Sequence, residues 1–478
     1  MRYVLIFIAV ITLSFNQAEA QVSGTSLMEY QYGELPTANE DPFNALYNKI
    51  NINYRYQKLK VNSGFQYYLT PYSDRNYIEP GWMGLNYRSK GWEFKAGNFN
   101  ETIGRGILLR SYEIQGAVIE DISFRSKQYF YRDIMGASAG YRHKKYAIKA
   151  SYGFVLNNLI PPTDSWQNRR DDEIAALSAE YKLLKQTISG TYMRLSNKAA
   201  TSDYAMTTLN GRLFSFLNYY TAYATTVNSQ SKGHALYASL NFSLGKIGLS
   251  AEMKNYDNFV IGSGINEPPA LVKEHSYRVL NRSTHVLQPD NETGFQLEAF
   301  YQASDKTLIT LNHTVANNDI GKTLTYSEWF AEVSSTINST DAKLFIDYAN
   351  DPLKGEMDRI SAGTNIDVPF KTKQGVLIEL EYQTFDRSDK SNQNYVGALT
   401  FRYDSRLFIG TLSEWSNDNF VTETDKLWLS GTLRYKLDQK HTIQLFAGER
   451  RGGPACSAGV CYEVLDFKGV ELRWNARF

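Results

Sequence analysis

The feature that most constrains this chain is a two-residue alternation of apolar and polar side chains, recurring in segments of about ten residues. In KLKVNSGFQYYL (58–69), Leu59, Val61, Phe65, Tyr67 and Leu69 stand against Lys60, Asn62, Gln66 and Tyr68. The same division runs through YAIKASYGF (146–154), KIGLSAEMK (246–254), GVLIELEYQ (375–383) and KLWLSGTLRYKL (426–437). A period of two puts successive side chains on opposite faces of a strand, and about ten residues is the length a tilted strand needs to cross a bilayer. The pattern persists to the last residue, with Val470, Leu472, Trp474, Ala476 and Phe478 alternating with Glu471, Arg473, Asn475 and Arg477. In water such a strand would expose an apolar face and an unpaired edge. Lipid would cover the face, and pairing with the first strand would cover the edge.

The connections alternate too. Tight turns are expected at 56–59, 88–91, 142–145, 182–185, 243–246, 304–306, 338–341, 370–375, 403–406 and 437–440. Longer connections fall between them, such as 34–45, 70–80, 157–171, 258–292, 386–393, 417–425 and 452–465. Of the 12 prolines only Pro369 neighbours a tight turn, and the rest fall in the long class, which leaves strand interiors free of proline. The fold expected is therefore all-β: a transmembrane, antiparallel, up-and-down β-barrel of about 24 strands, range roughly 20–26, with long external or lumen-inserted loops. An even number puts both chain ends on the same side, the periplasm.

The first 20 residues read as a cleavable secretory signal, with Arg2, an apolar run from Val4 to Phe15 and a small-x-small site ending at Ala20. Residues 21–478 then form the barrel, and the destination is the outer membrane of a Gram-negative cell. A formal net charge of +1, with 34 Tyr, 25 Phe and 7 Trp and no basic stripe, excludes nucleic acid as a partner. Negative mean hydropathy does not argue against a membrane, because a barrel's lumen-facing residues are polar.

GNFNETIGRGILLRSYE (97–113), EHSYRVL (274–280) and above all GERRGGPACSAGVCYEVLDFKGVELRWNARF (448–478) resemble segments of an uncharacterised outer-membrane β-barrel family of Gram-negative bacteria, classed as a domain of unknown function. The resemblance implies fold and location and carries no activity. The alternating end of the chain, with Leu472, Trp474 and Phe478, also resembles the signal read by the outer-membrane barrel assembly machinery, which is thus an expected partner beside outer-membrane lipid.

Functional candidates are few. Inward positions carry both signs of charge, among them Glu379, Glu381, Arg434 and Arg473, so strong ion selectivity is not expected. The same wall is what any water-filled barrel requires. Two insertions are too long for ordinary loops: 101–133, with Arg105, Arg110, Glu113 and Arg125, and 258–292. Either could fold into the lumen as a constriction, since wide barrels are usually filled, and 101–133 could instead supply a further hairpin of the wall. Cys456 and Cys461, in an exported chain, read as a disulfide closing a small surface loop rather than a metal site. No nucleophile elbow, zinc-protease helix or phosphate loop occurs, so no enzyme, cofactor or metal site is expected. Two functions fit: a channel or transporter for small polar solutes or oligosaccharides, or a non-transporting scaffold whose external loops dock a protein partner in a larger outer-membrane assembly.

Overall fold

The computed structural model describes residues 21–36, 40–120, 126–228, 232–262, 265–418, 425–457 and 460–478. The leader, its cleavage site near Ala20, and Arg125 lie outside the described residues. Twenty-four strands form one antiparallel sheet closed on itself. The first strand, Gln21–Leu35, pairs with Glu40–Tyr56 along one edge and with the last, Phe467–Arg477, along the other. The closing register runs from Thr25↔Arg477 to Glu34↔Lys468. It is extended by Phe478, whose amide donates to the Gly24 carbonyl at 3.0 Å and whose carbonyl accepts the Gly24 amide at 2.8 Å. A β-carbon at Gly24 would lie 2.2 Å from Cζ of Phe478, so the absent side chain makes room for the terminal ring. No backbone edge is left in the hydrocarbon region, as a membrane-spanning sheet requires.

The alternation read from the sequence sorts as expected. Leu177, Leu249, Leu380 and Leu429 are about half exposed on the outer surface, whereas Gln66, Ser239 and Gln383 are buried. Prolines depart from expectation. Pro42, Pro80 and Pro369 lie inside Glu40–Tyr56, Tyr77–Ser89 and Glu356–Lys371, each beside a register shift. At a bulge the ladder is already interrupted, so the missing proline donor removes little. The long loop expected at 386–393 is also absent: Gln374–Arg387 and Lys390–Tyr403 meet through a two-residue turn, Ser388-Asp389, with φ of 49° and 62°. Positive φ at both positions matches the right-handed twist of a hairpin. The polar run that suggested a loop is strand projecting beyond the apolar band.

Among the described residues several connections leave the wall, the one with the short helix Trp166–Arg169 included, and three of them hold the residues of the candidate site. Trp92–Phe99 pairs directly with Ile134–His143, so the described residues between them lie outside the barrel sheet. That stretch holds the bridge Thr102–Ile103 to Leu109–Arg110 and the hairpin Tyr112–Glu120 with Lys127–Arg132, each a separate two-stranded sheet. The hairpin is therefore not part of the wall. The segment between Ile247–Asp257 and Asn291–Ser304, two paired strands, contains the short helix Arg278–Arg282. His441–Arg450 pairs with Phe467–Arg477, leaving out a hairpin of Gly453–Ser457 and Val460–Val464.

Candidate functional site

The interior of the barrel is where these excursions meet inward-facing side chains. The strands Glu173–Leu183, Leu217–Asn228 and His234–Leu244 carry alanines on their inner face, Ala176, Ala222, Ala224 and Ala235, while their outer face carries Leu177, Tyr223 and Leu240. Into the space so left packs the first insertion. Ile107, Leu108 and Leu109 are wholly buried in one apolar cluster with Met193, Met206 and those alanines, and with Phe259, Ile261 and Ile265 of the second insertion. The insertions also share backbone bonds: Arg110 donates to the Ile265 carbonyl at 3.0 Å and Glu267 to that of Gly106 at 2.9 Å. Removing so much aliphatic surface from water anchors both segments, at ~25 cal/mol per Å² buried.

The rest of the second insertion is held by charge. Arg359, fully buried, donates to the Ser283 carbonyl at 3.0 Å and pairs with Asp347 and Glu356 at 3.2 Å and Glu328 at 3.4 Å. His275 meets Glu328 at 3.0 Å, and Arg282 pairs with Glu414. His285 lies 2.9 Å from Asp351, and Lys254 pairs with Glu292. Burial pushes the His285 imidazole down, but its hydrogen bond to Asp351 and the carboxylate of Glu292, 3.9 Å away, outweigh this and hold it above its ordinary value. Removing one member of such a buried group would leave an uncompensated charge, which is costlier than the net worth of the pair.

Several of the sequence candidates meet here. Glu381 accepts the amides of Arg278 and Val279 at 3.1 and 2.8 Å, capping the short helix. Arg473 pairs with Glu29, which also binds Lys127 of the first insertion at 2.5 Å, and donates to the Gly116 carbonyl at 3.3 Å. Glu113 reaches Lys49, and Arg110 reaches Glu267, each at 3.4 Å. Glu379 and Arg434 engage wall residues instead, Asn365 at 3.3 Å and the ring of Phe408 at 4.0 Å. Cys456 and Cys461 face each other in register across the third excursion's hairpin, whose side chains from 454 to 463 lie outside those described. Its two strands lie against Arg278–Arg282 and Tyr112–Glu120, so this hairpin touches both insertions. Leu472, Trp474 and Phe478 are on the outer face, Trp474 and Phe478 well exposed.

Glu29, Lys127, Glu328 and Arg359 were not singled out by sequence reasoning. Their signal was faint: charges on inner faces of strands look alike whether they meet water or an insertion. The apolar inner face opposite the insertion, Met193, Met206 and the alanines, was a better clue, because a water-filled lumen gives no reason for apolar residues on one sector of the wall.

A cavity of about 380 Å³ lies between the first insertion and the inner wall, toward the end of the barrel that bears the tight turns. Arg105 projects into it from the sequence Gly104-Arg105-Gly106, where all three residues have positive φ: 65°, 55° and 96°. Its guanidinium lies 3.9 Å from the ring centre of Tyr220 and donates through one terminal nitrogen to the hydroxyls of Tyr237 and Ser239, at 3.2 and 3.3 Å.

A closed antiparallel wall with an apolar exterior and a polar, occupied interior is the architecture of outer-membrane β-barrels. The chain belongs to a family of unknown function, DUF6029, whose model matches residues 191–352 and 312–478, together more than half of the sequence. Among solved structures it is similar to a chain of the E. coli P pilus tip assembly intermediate PapC-PapD-PapK-PapG, with a TM-score of 0.54 and 8% identity, covering 97% of this chain and 62% of that one. The translocation pore of the P pilus usher PapC gives a TM-score of 0.50 at 10% identity, covering 95% and 99%. The outer membrane protein OpdK of Pseudomonas aeruginosa gives 0.40 at 12%, covering 80% and 98%. At such identities the likeness concerns the fold. No curated protein matches.

Proposed function

We propose that the protein is an outer-membrane channel or transporter for small polar solutes, oligosaccharides included, whose lumen is constricted by the two insertions. The observation that carries this reading is the division of labour inside the barrel: a self-sufficient wall that closes without the insertions, and insertions that occupy the interior yet leave a polar cavity. A barrel serving only as a membrane anchor has no need of 24 strands around a separate filling. Lipid contacts the outer face in this reading, export depends on the leader, and the assembly machinery reads Leu472, Trp474 and Phe478. Similarity to a pore among solved structures supports the class without naming a solute. The test is planar-bilayer conductance of the intact protein beside a variant lacking 101–133. Current in either one supports transport, with larger steps in the deletion. Silence of both, in protein that is folded and inserted, leaves the scaffold reading, in which the external loops dock a partner.

A further inference from the structure

We propose that the cavity at Gly104-Arg105-Gly106 binds a small polyhydroxylated carboxylate, with Arg105 as the residue that recognises the carboxyl group. The proposal deepens the transport reading and rests on it for its physiological meaning, but the site itself is argued from geometry.

Charges of both signs surround the cavity. Three carboxylates line it, and each has a cation: Glu93 has Arg88 at 2.5 Å, Glu101 has Lys149 at 2.7 Å, and Glu180 has Arg142 at 2.8 Å. Arg105 is the one cation of the lining with no carboxylate bonded to it among the described residues. The nearest acid along its bonds is Glu252, which accepts the Tyr237 hydroxyl at 2.6 Å and is thus one side chain removed. With each of these acids bonded to another cation, Arg105 is left to meet one negative charge on the ligand. A guanidinium presents a planar fork of donors that matches a carboxylate, and both bonds it makes here use the same nitrogen, leaving the rest of the fork for a ligand.

The backbone is arranged to hold that guanidinium in place. A non-glycine residue at positive φ is strained, and such strain persists where the surroundings over-determine it. Here they do: a β-carbon at Gly106 would lie 2.2 Å from the Glu267 carbonyl oxygen, so only glycine lets the arch close against the second insertion. The Tyr220 ring then fixes the guanidinium plane. An arginine needed merely for solubility in the lumen would require none of this.

The wall opposite supplies the hydroxyl-binding character. Ser178 with Thr191 at 2.9 Å, and Ser189 with Thr208 at 2.6 Å, form hydroxyl pairs on adjacent strands. Each pair uses one hydrogen and one lone pair, leaving a donor and further acceptors for a ligand. Such groups suit the alcohols of a sugar acid. The volume falls in the range of small-molecule sites, about 300–1,000 Å³.

The experiment is equilibrium binding by calorimetry to the intact, detergent-solubilised barrel. The probes are gluconate and sorbitol, which carry similar chains of hydroxyls but differ in the carboxylate. Gluconate should bind about tenfold or more tightly than sorbitol, the range of one charge-assisted contact. R105Q keeps the same strained backbone and should abolish the difference, R105K should retain part of it, and R434Q, outside the cavity, should leave it intact. Equal binding of the two probes, no binding of either, or undiminished discrimination in R105Q would overturn the proposal. Should R105Q fail to assemble, R105K decides: unchanged discrimination in a variant that has lost the fork would refute fork recognition. Solute flux in proteoliposomes is measured separately. Gluconate binding without flux would sink the transport reading and leave the site standing, whereas flux without carboxylate discrimination would do the reverse.

Discussion

Replacing Ile107 and Leu108 together by alanine tests whether the first insertion is docked rather than woven into the wall. Both side chains are fully buried in the cluster they share with Met193, Met206, Ala222 and Ile265. Large-to-alanine changes at such sites cost about 2–5 kcal/mol each. Because the two are adjacent and share neighbours, simple addition is unsafe, and the low end, about 4 kcal/mol for the pair, is the working figure. That corresponds to roughly three powers of ten in the ratio of docked to released insertion. The wall should not feel it, since Trp92–Phe99 is bonded directly to Ile134–His143 with its ladder intact. Hydrogen exchange read by mass spectrometry should therefore show amides 102–110 exchanging about a thousandfold faster while the wall strands keep their protection. Single-channel steps should also enlarge. Unchanged exchange at 102–110 would refute the anchoring argument, and simultaneous loss of protection in the wall would show that insertion and barrel form one cooperative unit.

Other outcomes follow from the same geometry. Gly24→Val should impair assembly, because its side chain would occupy the place of the Phe478 ring; Phe478 deletion, which removes both terminal backbone bonds, and Leu472→Arg, at ~2–4 kcal/mol for a midplane charge, should do likewise, and normal outer-membrane levels of all three would count against the closing seam. His285 has a raised folded value, so its charged form stabilises the second insertion; that contribution is complete below about pH 6.5 and lost as pH rises through the folded value. Melting curves from pH 5.5 to 9 should show the decline in the parent and not in His285→Gln. Cys456→Ser with Cys461→Ser should leave the barrel inserted but make 450–465 more sensitive to protease, and two free thiols in protein taken from cells would remove the premise. Epitope tags at 388–391 and 420–423 should be reachable on whole cells and tags at 404–405 and 438–439 should not; the opposite pattern would invert the topology.

The wall was legible in the sequence because a bilayer imposes a local rule: each spanning segment must be one-sidedly apolar, of fixed length and paired on both edges. Leu249, Leu380 and Leu429 announce their faces without knowing their neighbours. The strand count and the pairing of the end of the chain with its beginning follow from that rule and from closure. Where polarity alone was used to mark loops it misled, as at 386–393, since strands continue into water above the membrane.

The interior obeyed no such rule. Whether 101–133 joins the wall or fills the lumen depends on residues more than a hundred positions apart, such as Arg105 bonded to Tyr237 and Leu108 buried in one cluster with Ala235. Nothing in the sequence sets Arg359 and Glu328 apart from other strand charges, and it is the second insertion that buries them. Likewise Arg105 is one basic residue among many in the sequence, and it becomes a candidate ligand-binding group only because closure of the barrel pairs every carboxylate around its cavity with some other cation. Periodicity is a property of neighbouring residues and survives in the sequence. Which charge lacks a partner is a property of the enclosed space, and only the tertiary structure decides it.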